Sequence, residues 1–358
     1  MMRLISIRKK SDWLILAGTI SIPFRPAMAV AFLLIGVLTE KIIDKKRPLF
    51  SFEMNLISWS LTSFYLLHVL GMSYSENTSF GGLDLQIKAS FLLIPLVISI
   101  IGQTSLDRKT LGGYWLFSAL VSGSVCFIKS LPGYLNDPEI ANITYAQFCF
   151  FSHPTYLSLF LSIGLFICMY EPFESDTARN PYLRFFTIFI LLFYILLAQS
   201  RTGIAVTVLL LSVNLTVNLI KGKRSRLMDF IPVLLAFLSY TSMSYGSGND
   251  RLNSLVNEIS VGRDTSQVDT SKYSASDTRI RIWRSAGEAS LQHLPHGTGT
   301  GDVRQVLLEK YREKGYDDLF LKSYNAHNQF LQSSLALGMA GLLLLCAVFL
   351  FPILHFLK

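Results

Sequence analysis

"HNQFLQSSLALGMAGLLLLCAVFLFPIL", residues 327–354, opens with an imidazole and an amide and runs on as an apolar segment. It is long enough to cross a hydrocarbon core of roughly 30 Å as one helix. Backbone amides in lipid must be satisfied within the segment, which favours a helix over any open strand. A polar stretch, 246–326, precedes it, so His327 and Asn328 stand at the mouth of a membrane helix.

The rest of the chain repeats the pattern of that segment. Hydrophobic residues make up 51% of the 358 and charged residues 16%, whereas a soluble domain carries about 25% charged residues. Apolar runs fall near 12–24, 27–42, 54–72, 85–101, 111–129, 154–170, 184–199, 202–220, 230–245 and 328–351. The sequence therefore predicts an all-α protein, a polytopic transmembrane bundle of about ten spans with one large, mostly helical loop. Its parts are an N-terminal bundle over 1–245, the loop over 246–326 and a C-terminal helix over 327–358. Pro23 and Pro26, flanking Arg25, place a turn between the first two spans. The basic N-terminus is read as retained, because no small-residue cleavage site follows its apolar stretch.

The net charge of +8 is better explained by membrane orientation than by nucleic acid, since Lys and Arg outside the loop cluster in short connections. Arg3, Arg8, Lys9 and Lys10, then Lys41, Lys45, Lys46 and Arg47, place the N-terminus and the connection after residue 40 in the cytoplasm. "TSLDRKT", "EPFESDTARNPYLR" and "KGKRSRLMD" also read as cytoplasmic, and "SYSENTSFGGLD" and "SLPGYLNDPEIANITYAQ" as outside. By that count Arg201 and the whole 246–326 stretch face out together. Cys126, Cys149, Cys168 and Cys346 lie in or beside apolar segments without metal-ligand spacing, so neither disulfide nor metal is expected.

The outer face thus receives His327, Arg201 and the Arg279/Arg281 pair. One base and several guanidiniums on one side are the material of a site acting on an anionic, lipid-borne substrate. Each also has a plainer reading: interfacial anchors for His327 and Arg201, solvated loop charges for Arg279 and Arg281. Lys88 lies early in a span near the outer face, as a substrate contact or a snorkelling cation. His153 and Tyr156 in "FSHPTYLSL" open another helix there, as substrate contacts or as part of a helix cap. Gly297, Gly299 and Gly301 read either as a phosphate cradle or as a tight turn.

These residues resemble the O-antigen ligase and O-antigen polymerase superfamily of bacterial inner-membrane glycosyltransferases. The family pattern of His, then Asn, Ser or Gln, nine residues and Gly-x-x-Gly appears as His327, Asn328, Gly338 and Gly341. "SRTG" stands at Ser200–Gly203, and Arg279 lies four residues before Trp283, ahead of Pro295, Gly297, Gly299 and Gly301. The likeness spans about 55–350, and it implies one or two more helices than this chain carries after its loop.

The resemblance implies transfer of a glycan from polyprenyl (undecaprenyl) diphosphate to a sugar hydroxyl of lipid A-core, without metal, nucleotide or other cofactor. His327 would be the general base, Arg201 and Arg279 would hold the diphosphate, Arg281 would be a weaker second ligand, and Asn328 would orient the imidazole. The start of a helix and nearby arginines should keep His327 neutral near pH 7. A polysaccharide polymerase and a protein O-oligosaccharyltransferase share the same motifs and differ in acceptor. A lipid-linked glycan flippase is the reading from another class, but the chain lacks the internal repeat such a transporter should show.

Overall fold

The computed structural model describes residues 10–25, 28–32, 34–36, 55–101, 108–169, 180–222, 230–244 and 275–357. Among them all regular structure is helical: α1 Lys10–Ser21, α2 Leu56–Gly71, α3 Thr78–Lys88, α4 Ser90–Ile101, α5 Arg108–Asn136, α6 Pro154–Met169, α7 Pro181–Ala198, α8 Arg201–Ile220, α9 Ile231–Ser244, α10 Ala275–Gln292, α11 Val303–Glu313, α12 Asp317–Leu321 and α13 Gln329–Leu357. Five stretches are long and apolar enough to cross a membrane: Leu56–Tyr74, Lys109–Asn136, Pro181–Ala198, Arg201–Ile220 and Gln329–His355. The chain is a multi-pass membrane protein.

Asp12–Ser21, Pro154–Met169 and Ile231–Ser242 are apolar but shorter. The span expected over 27–42 falls partly outside the described residues, as do 246–274 of the polar stretch. The span expected over 85–101 is two helices, with the break at Ala89 directly after Lys88.

Local sequence sets the helix ends. Asn55 Oδ1 accepts the Ser58 amide at 2.9 Å, Asn77 Oδ1 the Phe80 amide at 3.0 Å, and Asn180 Oδ1 the Tyr182 amide at 3.0 Å ahead of Pro181. Short polar side chains at these positions satisfy donors that the first helical turn leaves unpaired.

The chain divides into two compact units, Met1–Lys46 with Gln103–Asp264, and Arg47–Gly102 with Thr265–Lys358. In the first, α6 and α7 form the centre. Leu157, Leu161 and Leu165 recur every fourth residue on α6, and Ile188, Leu191 and Ile195 make the facing stripe on α7, all fully buried. On α5, Gly123 lies against the Tyr194 ring and Ala119 abuts Gly164 of α6. Contacts between α6 and α8 keep a constant offset: Thr155 with Ser200, Ser158 with Gly203, and Ser162 with Thr207. Equal spacing in one direction means the two helices run parallel, so α7 runs antiparallel to both and carries the chain from the end of α6 back to the start of α8.

The second unit is organised around a break in α13. Gly338 has φ 62° and ψ −145°, a combination far from helix and close to a region that only glycine occupies easily. A break inside an apolar helix frees carbonyls that lipid cannot satisfy. The turn from Pro295 to Asp302 satisfies them: the Thr298 amide donates to Leu335 O at 2.8 Å and the Gly299 amide to Ala336 O at 2.9 Å, while Pro295 O accepts the Met339 amide at 3.0 Å. The same turn is tied to α2. Thr300 Oγ1 donates to His68 O at 2.7 Å, and the Asp302 carboxylate accepts the amides of Glu76 and Asn77 at 2.9 and 2.8 Å.

Candidate functional site

His327 is held by its own short segment. After α12, Ala326 is buried beside Ile282 of α10 and Leu319 of α12 in one apolar cluster, which docks the chain just before the imidazole. The His327 amide donates to Asn325 Oδ1 at 3.0 Å, and the backbone takes φ 45°. A left-handed histidine is uncommon and persists only where its surroundings fix it. Its ring is exposed and lies 5.5 Å, centroid to centroid, from Tyr324.

Asn328 does not point its amide oxygen at the imidazole. That oxygen caps α13, accepting the amides of Phe330 at 2.9 Å and Leu331 at 3.4 Å. Asn325 and Tyr324 are therefore the neighbours that set His327. The signal that would have found them is the compact "YNAHN" preceding the helix.

The His327 pKa lies below the ordinary imidazole value of 6.5, first because protein flanking the ring removes water and second because Arg279 carries a positive charge nearby. The lowering was expected, with the helix start as a principal cause; partial desolvation leads instead. Arg279 is exposed, with no ion pair among the described residues. It extends the buried stripe of α10, Ile282, Ala286 and Ala289, toward the helix start.

The other two cations that the sequence singles out in this unit are engaged. Arg281 donates from both outer nitrogens to Asp318, at 2.8 and 3.1 Å, and its guanidinium lies 4.1 Å from the centre of the Tyr316 ring. Lys88 is buried and paired with Asp84 one turn earlier on α3. The glycine turn spends its amides inside the protein: Gly297 on His293 O, Thr298 on Leu335 O, Gly299 on Ala336 O, Thr300 on Gly71 O and Gly301 on Ser75 Oγ. A phosphate cradle needs such donors unpaired, so this is the tight turn of the two readings.

Arg201, His153 and Tyr156 belong to the first unit. In "SRTG", Ser200 Oγ accepts the Gly203 amide at 3.2 Å as the cap of α8, and Gly203 leaves room for Ser158 of α6. Packing thus accounts for Ser200 and Gly203, while Arg201 is exposed on the first turn. His153 Nδ1 accepts the Thr155 amide at 3.3 Å, a cap-like bond at the start of α6, and its ring is 6.4 Å from that of Tyr156, which is exposed. Because Ser200 Oγ reaches Thr155 Oγ1 at 3.5 Å, the starts of α6 and α8 lie side by side. Two adjacent helix N-termini, with an arginine on the first turn of one, favour negative charge at that end.

Among the described residues no cluster of His, Cys, Asp or Glu is arranged to hold a metal ion. Residues 186–346, a range that contains the Ser200 and His327 motifs, match the family described as O-antigen ligase. No curated protein sequence matches the chain.

Proposed function

We propose that the chain is an O-antigen ligase-like glycosyltransferase of the bacterial inner membrane, N-terminus cytoplasmic and 246–326 periplasmic. It moves a glycan from polyprenyl diphosphate to a sugar hydroxyl of lipid A-core. The observation that carries the reading is His327 itself: an exposed imidazole, held left-handed between a docked segment and a helix cap, with its pKa lowered by partial burial and by Arg279. Such a group is neutral at pH 7 and available to take a proton.

His327 removes the proton of the acceptor hydroxyl as that oxygen attacks the anomeric carbon. The bond from that carbon to the diphosphate oxygen breaks, the electron pair leaves with the diphosphate, and the configuration inverts. Negative charge grows on the leaving group, and Arg279, in the same unit as His327, stabilises it through charge-assisted hydrogen bonds; Arg201 is proposed as a donor-binding residue on the strength of its SRTG motif. Lys88, His153, Tyr156 and Asn328 are proposed as secondary substrate contacts: Lys88 is held by its ion pair with Asp84, Asn328 caps the helix after His327, and His153 and Tyr156 stand at the start of α6.

Glycan profiling of a deletion strain tests the acceptor. Loss of all surface-linked O-polysaccharide with lipid-linked chains accumulating is the expected result; a core capped by single repeat units would make the chain a polymerase instead. For the donor, Arg201→Lys keeps the charge but not the planar fork, and its KM for lipid diphosphate rises about tenfold while Arg201→Ala loses about 10- to 100-fold. Unchanged donor kinetics in both would remove Arg201 from the site.

A further inference from the structure

Arg281 and Asp318 form the most completely built ion pair of the second unit. Both outer guanidinium nitrogens meet both carboxylate oxygens, Tyr316 covers the guanidinium, and the Arg281 side chain is 14% exposed. Arg284 with Glu288, on the same helix, is by contrast a long, open contact at 3.4 Å with the arginine side chain 73% exposed. Exposed pairs of that kind contribute little; a planar, bidentate and half-covered one fixes geometry.

What this pair joins is specific. Arg281 sits two residues after Arg279, and Asp318 begins the segment that leads, through α12 and Tyr324, to His327. The apolar partners run in step: Ile282 next to Arg281, Leu319 next to Asp318 and Ala326 next to His327 share one buried cluster. The ionisable groups carried by the elements around the imidazole are Asp277, Arg279, Arg281, Arg284 and Glu288 on α10, Asp317 and Asp318 on α12, and Lys322 and Tyr324 on the segment that leads to His327; Arg284 and Glu288 pair with each other. Of these, Arg279 is the charge that acts on His327.

We propose that Arg281 and Asp318 are a positioning pair, which ties α10 to the segment carrying His327 and so sets the placement of Arg279 relative to the imidazole. The pair touches no substrate. It acts by holding two helices in register. Its importance rests on the reading of His327 as the base, but its test does not require transfer.

The test is carbethoxylation of His327 by diethylpyrocarbonate in the full-length protein, followed by peptide mass spectrometry as a function of pH. Only the neutral imidazole reacts. In Arg281→Gln Arg279 is no longer held beside the ring, and losing its positive charge there favours the protonated imidazole, so labelling at pH 5.5 falls about threefold while labelling at pH 8 is unchanged. Arg281→Lys, which keeps the charge but loses the fork, falls between the two. The exchange Arg281→Asp with Asp318→Arg restores the wild-type profile. If Arg281→Gln does not fold, the lysine variant and the exchanged pair carry the comparison. Profiles at His327 that coincide in wild type and folded variants, or an exchanged pair that labels no differently from Arg281→Gln, overturn the proposal. Loss of transfer in Arg281→Gln with an unshifted His327 profile would leave the base in place and sink only the pair. A normal profile response with full transfer in a His327 variant would do the reverse.

Discussion

His327→Ala stops glycan transfer and leaves donor binding intact. Removing a positioned base lowers the rate by about 10²- to 10⁴-fold, and with a weakly acidic sugar hydroxyl as nucleophile the upper end is expected. Lipid diphosphate binding is expected to change by less than about threefold, because the proposed mechanism assigns the donor to the arginines rather than to the imidazole. The measurement is single-turnover transfer beside equilibrium binding of the donor to purified protein. Near-normal turnover in His327→Ala would end the assignment. The pH profile gives an independent check with a definite sign. The neutral imidazole is the competent form and its pKa lies below 6.5, so the acid limb of the wild-type profile falls below pH 6.5. Arg279→Ala removes a positive charge that disfavours the protonated ring, so the acid limb moves to higher pH, whatever happens to donor affinity.

Gly338→Val is expected to abolish stable folding rather than activity alone. A side chain there meets the carbonyl oxygen of Pro295, with Pro295 C at 2.5 Å and His296 C at 2.8 Å, all backbone atoms of the turn. Backbone cannot rotate aside as a flexible side chain does, and φ 62° with ψ −145° is itself strained for any other residue. Strain of about 1–3 kcal/mol adds to the loss of turn hydrogen bonds at about 0.5–1.5 kcal/mol each. In thermal unfolding and size-exclusion chromatography in detergent, the variant should lose the monodisperse species. Gly287→Ala is the control: nothing lies within 4 Å of the added carbon, and replacing a glycine inside α10 should stabilise by about 0.5–1 kcal/mol. A Gly338→Val protein as stable as wild type would show that the break is not required.

The helices were legible because span length and short polar caps are local properties. Asn55, Asn180 and Ser200 each sit just before an apolar run, and the runs at 184–199, 202–220 and 230–245 lie within a few residues of α7, α8 and α9. The break at Gly338 was not legible, since "SSLALGMAGLLLL" reads as continuous helix. What opens it is a turn about 40 residues earlier, and no periodicity reports such a partner. The break at Ala89 was missed for a related reason: Lys88 looked like a cation in a span, whereas Asp84, four residues before it, is the partner that helical spacing offers. At the candidate site, His327 and Arg279 share a unit and an electrostatic interaction. Arg281 carried no sequence sign of its engagement, because Asp318 is 37 residues away.

The divided last helix bears on how the protein reaches the bilayer. Its segment before Gly338 has two carbonyls, on Leu335 and Ala336, whose partners are supplied by amides of residues 298 and 299. A translocation channel releasing this segment alone would deliver uncompensated dipoles to lipid, each costing several kcal/mol. Stable membrane integration of residues 329–357 is therefore expected to depend on closure of the 295–302 turn onto the break.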